Sequence, residues 1–113
     1  LFTSDMFTYA LSDNKNGPWI LEEDDLVCGI QFIKSFMLNT RYWWLEGAKT
    51  RVLRENIRRI FNEYDITTIA PGYGKIFRGR ELVAKQFDKL DTIMADFDFS
   101  KNKAQYIARN HLR

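Results

Sequence analysis

The sequence predicts an α/β fold, because three stretches have the hydrophobic periodicity of helices and two short stretches have the composition of strands. The chain has 113 residues, the size of one domain, and 45% of them are hydrophobic, which supplies enough apolar surface for one core. Its formal net charge is only +2, so no overall basic field indicates a nucleic-acid or membrane-surface protein. We therefore expect one globular α/β unit over residues 1–113, with residues 96–113 as a basic C-terminal tail.

The first half of the chain predicts one strand and two helices. The strand covers residues 1–3, and the pair Ser4-Asp5 ends it. A helix is expected over about 22–38, where four carboxylates precede apolar residues at helical spacing. A second helix is expected over about 42–64, and its predicted inward face contains Trp44, Ala48, Val52, Ile57, Ile60, Phe61 and Tyr64.

The second half predicts a buried strand followed by a glycine-rich loop. Residues 66–70 (ITTIA) are a β-branched run bounded by an aspartate and a proline. The loop at 71–74 (PGYG) follows at the strand's end, which is where α/β proteins commonly keep their sites. A third helix is expected from residue 79 or 80 to about 95, and a short last helix within 98–113.

Several common kinds of site are not expected in this sequence. The only histidine, His111, lies in the basic tail without an evident acid partner, so we do not expect a nucleophilic triad. The only cysteine, Cys28, is interpreted as a buried structural thiol, and one cysteine fits the reducing cytoplasm, where we place the protein. A G-x-G-x-x-G nucleotide loop would need a glycine where Phe77 stands. No apolar run reaches the roughly 18 residues that span a bilayer, so no membrane partner is expected.

Two segments of the chain carry motifs of possible catalytic importance. The first is FTSD at residues 2–5, a strand end that delivers Asp5, and the second is APGYG at residues 70–74. Together they resemble the metallo-β-lactamase fold superfamily, and APGYGKIFRG with its following helix is similar to the flavodiiron and oxygen-binding diiron branch. The resemblance implies that Asp5 holds the position of a carboxylate bridging two metal ions. It also implies that Tyr73 stands at the position of a histidine ligand, in a loop formed with Pro71, Gly72 and Gly74.

The resemblance covers about residues 1–95 and implies the C-terminal half of a four-layer αββα metallo-β-lactamase-like fold. The family's H-x-H-x-D-H motif lies upstream of the bridging aspartate and does not occur in this sequence. The intact parent would be a metal-dependent hydrolase or diiron oxidoreductase with two zinc or iron ions. The present chain alone is expected to be inactive and to hold none, because one carboxylate does not make a catalytic metal site. The expected partner is the missing N-terminal half or a second copy of the chain.

Other interpretations of the same residues stay open. Asp5 could instead cap the turn that follows the strand. Phenolate binds ferric iron but is a poor zinc ligand at neutral pH, so Tyr73 could be a hydroxyl beside the site or a packed ring. The alternative function is a non-catalytic interaction or oligomerisation module with a degenerate metal site. We do not expect nucleic-acid binding by the basic residues of 49–59, because three glutamates interrupt or flank them.

Overall fold

The computed structural model describes residues 1–11, 18–23 and 29–100, which form a small α/β protein. The four strands in this part of the chain are β1 (Phe2–Ser4), β2 (Ile20–Leu21), β3 (Thr68–Pro71) and β4 (Ile76–Arg78). The helices are α1 (Ile30–Asn39), α2 (Arg51–Glu63) and α3 (Arg80–Phe99), with a 3₁₀ turn at Trp43–Leu45 between α1 and α2. The predicted α/β class is thereby confirmed. No helix among these residues is long and apolar enough to cross a membrane.

The strands form one mixed sheet in the order β1-β3-β4-β2. β1 runs parallel to β3, β2 runs parallel to β4, and the central pair β3–β4 is antiparallel. Phe2 lies opposite Ala70 and Ser4 lies opposite Pro71, with an irregularity in the register between them. Because β1 and β3 are parallel, their carboxyl ends reach the same edge of the sheet.

Helix α3 forms the centre of the core. Its buried side chains recur at helical spacing along the whole length, and they are Leu82, Val83, Gln86, Phe87, Leu90, Ile93, Met94 and Phe97. Ile69 of β3 and Phe77 of β4 are fully buried in the same cluster, which Ile33 and Met37 of α1 join. Each large apolar side chain buried in this way contributes about 1.5–3 kcal/mol to folding. The core therefore packs α3 against strands β3 and β4 and against α1.

Helix α2 lies on the surface and has no buried residue. Ile57 and Phe61 are partly buried against the core, and the ring of Phe61 lies 4.7 Å from that of Phe87. Arg54 donates two 3.0 Å hydrogen bonds to the carboxylate of Asp91 on α3. The predicted inward face was wrong at four positions, because these side chains are exposed: Trp44, Val52, Ile60 and Tyr64.

The single helix predicted over 42–64 is interrupted. After the 3₁₀ turn, Gly47 adopts a φ of 78°, which leaves the helical region, and its N–H donates a 2.8 Å hydrogen bond to the carbonyl of Phe97. The N–H of Thr50 donates to Oδ2 of Asp98 at 3.0 Å. These two contacts with the end of α3 hold the connection in a non-helical path, so α2 begins only at residue 51.

Two other element boundaries differ from the predictions. The helix expected from residue 22 begins at Ile30, because Glu22 and Glu23 are not helical and Gly29 is extended. The helix expected to end near residue 95 continues to Phe99. Residues 24–28, with Cys28, and residues 101–113, with His111, lie outside the described residues.

Candidate functional site

The ends of β1 and β3 meet at one cavity. Its volume is about 420 Å³, and its lining residues are Asp5, Thr8, Phe36, Thr40, Arg41, Gly72 and Tyr73. The two motifs singled out in the sequence, at residues 2–5 and 70–74, are thus neighbours in space. A cavity of this volume is within the range of small-molecule sites in proteins.

A tight turn after β1 positions Asp5. The N–H of Met6 donates to the carbonyl of Thr3 at 3.1 Å, and the Thr3 hydroxyl donates to the carbonyl of Met6 at 2.8 Å. Ser4 within this turn and Phe7 directly after it have φ values of 54° and 64°, a region that residues with a side chain rarely adopt. Phe7 is buried and holds its conformation by packing in the core. The backbone therefore turns after β1 instead of continuing the strand, and the carboxylate of Asp5 lines the cavity.

The 71–74 loop is attached to the segment that follows β1. The N–H of Gly72 donates to the carbonyl of Ser4 at 2.7 Å, and the N–H of Lys75 donates to the carbonyl of Ala10 at 2.7 Å. Gly74 has a φ of 84°, and a Cβ at this position would lie 2.9 Å from the carbonyl oxygen of Ala10. Only glycine fits there without a shift of the backbone. The loop consequently holds Tyr73 on the cavity wall, with 64% of its surface exposed.

The electrostatics of the cavity centre on an ion pair between Asp5 and Arg41. Nε of Arg41 lies 3.4 Å from Oδ2 of Asp5, and at least half of each side chain is exposed. Solvent screens such a pair, so it contributes little to folding. Next to it, partial burial and then the negative charge of Asp5 raise the pKa of Tyr42 above its usual value, while Arg41 acts in the opposite direction. Tyr42 therefore stays protonated at neutral pH.

The donor set of the cavity does not fit a metal centre by itself. The described residues of the cavity provide one carboxylate, from Asp5, and one phenol, from Tyr73, whereas catalytic zinc sites use three protein ligands. No group of three His, Cys, Asp or Glu side chains that could hold a metal ion occurs among the described residues. Arg41 also competes as the counter-ion of Asp5. A metal centre here needs ligands beyond the described residues.

Sequence reasoning missed four residues of the cavity. Thr8, Phe36, Thr40 and Arg41 line it beside the predicted ones. Thr40 has a partial signal in the sequence, because the pair Asn39-Thr40 is typical of a helix end. In the structure, the Thr40 hydroxyl donates to the carbonyl of Phe36 at 2.7 Å. No local pattern indicates Arg41, since its role depends on the tertiary contact with Asp5.

The basic residues of 49–59 are largely paired with carboxylates. The Nζ of Lys49 lies 3.8 Å from Asp98, and Nε of Arg51 lies 3.8 Å from Glu55. Arg54 and Arg58 contact the carboxylate of Asp91 on α3 at 3.0 and 2.9 Å. Four of these basic side chains thus have acidic neighbours, which lowers the positive potential that a phosphate backbone would meet.

No protein-family model, curated protein or solved structure matches the chain.

Proposed function

We propose that the chain is the C-terminal portion of a four-layer, metallo-β-lactamase-like domain that acts as a metal-dependent hydrolase or diiron oxidoreductase. One observation supports the proposal: Asp5 and the 71–74 loop line the same cavity. This cavity lies at the carboxyl ends of the parallel strands β1 and β3. In α/β proteins this edge of a sheet is where sites are commonly built. The sequence motifs and the geometry of the sheet therefore favour the same location.

The proposal gives this chain one wall of the site. Asp5 contributes a carboxylate, and the 71–74 loop shapes the cavity and presents the Tyr73 hydroxyl. A pair of bound metal ions would activate water for hydrolysis or, as iron, bind a diatomic gas. In this proposal the other ligands belong to the N-terminal half, and the chain alone is inactive.

The edge of the sheet offers a place for that half. Within the described sheet β1 pairs only with β3, so its other edge has backbone groups available to a further strand. Phe2 on this strand is 91% exposed, so its large apolar side chain lies in solvent. A strand from the other half that pairs with β1 would cover this edge and bring ligands near Asp5.

Metal analysis of the natural gene product, with any polypeptide encoded upstream of Leu1, tests the proposal. We expect two zinc or iron ions per chain and a reduced metal content in Asp5→Ala. Asp65→Ala is the matched control, because Asp65 is also an exposed carboxylate paired with an arginine, Arg80. A natural product without metal, or one that keeps all its metal in Asp5→Ala, would contradict the proposal. Stoichiometric metal on Asp5 and Tyr73 in the 113-residue chain would contradict its inactivity.

The second candidate is a non-catalytic interaction module with a degenerate metal site. Two observations favour it: Arg41 neutralises Asp5, and a tyrosine stands at the ligand position of the loop. Tyr73→His in the natural gene product distinguishes the two functions. If the product binds two metal ions only after this change, the protein is the interaction module. If it binds two metal ions without the change, the protein is the metal enzyme.

A further inference from the structure

The ion pair on the cavity wall uses little of the bonding capacity of its two charged groups. The closest contact joins Nε of Arg41 to Oδ2 of Asp5 at 3.4 Å, and neither side chain makes a hydrogen bond to another residue in the described part of the chain. A guanidinium has several N–H donors and a carboxylate has several acceptor sites. The pair therefore offers both donors and acceptors to a ligand in the cavity.

Two threonine hydroxyls on the same wall have donated their protons but can still accept a hydrogen bond. The Thr8 hydroxyl donates to the carbonyl of Asp5 at 3.1 Å, and the Thr40 hydroxyl donates to the carbonyl of Phe36 at 2.7 Å. A hydroxyl oxygen has acceptor sites besides its one donor, so both oxygens keep lone pairs for a ligand. With the Asp5 carboxylate they suit an ammonium group, which only donates.

Two aromatic rings supply apolar surface to the cavity. Phe36 lies one turn before Thr40 along α1, so both side chains are on the same face of that helix, and Tyr73 is on the 71–74 loop. Phe36 also packs against the core, which fixes its place on the wall. Small-molecule sites combine such apolar surface with a few polar groups that orient the ligand. The rings would therefore contact the apolar part of a ligand whose charged end lies at the ion pair.

We propose that the cavity binds a free α-amino acid with an aromatic or large apolar side chain. The carboxylate of the amino acid accepts hydrogen bonds from the guanidinium of Arg41. Its ammonium group donates to the carboxylate of Asp5 and to the hydroxyl oxygen of Thr8. Hydrogen bonds between charged groups are stronger than those between neutral groups, so these contacts orient the ligand.

The opposite charges on the wall select an amino acid over ligands with one charge. A simple carboxylate or a phosphate would meet Arg41 but would be repelled by Asp5, and an amine would meet the reverse situation. A free amino acid presents a group of opposite sign to each, whereas either end of a peptide carries only one of the two charges. Amino-acid binding rests on the second candidate function, the non-catalytic module, because a metal ion on Asp5 would exclude the ammonium group.

Titration of the full chain with L-phenylalanine, monitored by NMR in the presence of EDTA, tests the proposal. We expect saturable shifts of the amide signals of Thr8, Thr40 and Gly72. Hydrocinnamate lacks the ammonium group and phenethylamine lacks the carboxylate, so each should bind at least about tenfold more weakly than L-phenylalanine. Glycine should also bind more weakly, because it has no side chain to contact the rings.

Two variants test the residues that carry the charges. Arg41→Gln and Asp5→Asn should each raise the Kd for L-phenylalanine at least about tenfold. Asp5→Asn should not weaken the binding of hydrocinnamate, which has no ammonium group. Asp65→Asn is the matched control, because Asp65 forms an exposed ion pair with Arg80 and does not line the cavity. Circular dichroism checks that each variant is folded.

The absence of saturable shifts overturns the proposal. So does equal affinity for L-phenylalanine and hydrocinnamate, or an unchanged affinity for L-phenylalanine in Arg41→Gln or Asp5→Asn. Metal content of the natural gene product is a separate readout. A product that holds no metal and does not bind L-phenylalanine overturns amino-acid binding and leaves the interaction module in place. A product that holds two metal ions and loses metal in Asp5→Ala overturns both.

Discussion

The hydroxyl of Tyr9 donates a 2.6 Å hydrogen bond to Oε1 of Gln86, which lies 77 positions further along the chain. Both side chains are buried, and Gln86 has no exposed surface. The bond joins the segment after β1 to the middle of α3. The segment that carries Asp5 is thereby tied directly to the central helix of the core.

Tyr9→Phe tests the contribution of this bond. The substitution keeps the ring, which packs 5.7 Å from that of Phe77, and removes the donor to a buried oxygen. We expect the free energy of unfolding to fall by about 1–2 kcal/mol. Urea denaturation monitored by circular dichroism measures this free energy. Tyr64→Phe is the control, because Tyr64 is exposed, and an equal loss in both variants would contradict a specific role for the bond.

Gly74→Ala tests the fit of the cavity loop. The added Cβ would lie 2.9 Å from the carbonyl oxygen of Ala10 and 3.2 Å from that of Thr8, at a φ of 84°. We expect a loss of about 1–3 kcal/mol in the free energy of unfolding, because neither backbone oxygen is the end of a flexible side chain. Gly29→Ala is the control, since a Cβ added there would have no atom of the described residues within 4 Å. Gly74→Ala should have a lower midpoint of thermal unfolding than Gly29→Ala. Equal midpoints would contradict the close approach of residue 74 to the carbonyl oxygen of Ala10.

The elements predicted well from the sequence are those with a long or chemically distinct pattern. The buried stripe of α3 recurs over five turns, and the β-branched run before residue 71 forms β3. Strands β2 and β4 were not predicted, because two and three residues are too few to show an alternating pattern. They are strands because they pair with each other, with Ile20 opposite Ile76. The break near Gly47 likewise depends on contacts with α3.

The candidate site was predictable to a similar extent. Asp5 and the 71–74 loop could be singled out because each follows a strand, and parallel strands bring such ends together. Arg41 could not be found in this way, because only the folded chain places it 3.4 Å from Asp5. The metal chemistry that the resemblance implies stays a prediction.

The ion pairs of Asp91 predict a pH-dependent stability. A hydrogen bond from Arg54 is the largest cause that lowers the pKa of Asp91 below its usual value, and the charges of Arg54 and Arg58 act in the same direction against partial burial. A lowered pKa means that this stabilisation is fully present above the unfolded value of about 3.9 and is lost as the pH falls through the folded value. Acidification should therefore weaken the attachment of α2 to α3.

Asp91→Asn measures this contribution. At pH 7 we expect the free energy of unfolding to fall by about 1–2 kcal/mol, since the charge-assisted bonds to Arg54 and Arg58 are lost. The difference from the unsubstituted chain should shrink as the pH is lowered below 4. Asp88→Asn, an exposed acid on the same helix, is the control. A difference between Asp91→Asn and the parent that is constant from pH 7 to pH 3 would contradict the assignment.

Arg41→Gln tests whether the guanidinium keeps cations away from Asp5. Because the pair is exposed, the free energy of unfolding should change by less than about 0.5 kcal/mol. Removing the positive charge leaves the Asp5 carboxylate accessible to a divalent cation. We therefore expect Mn²⁺ to broaden the NMR signals of Thr8, Gly72 and Tyr73 at lower concentrations in Arg41→Gln than in the parent chain. The double variant Asp5→Asn/Arg41→Gln should lose this broadening, and its persistence there would show that the cation binds elsewhere.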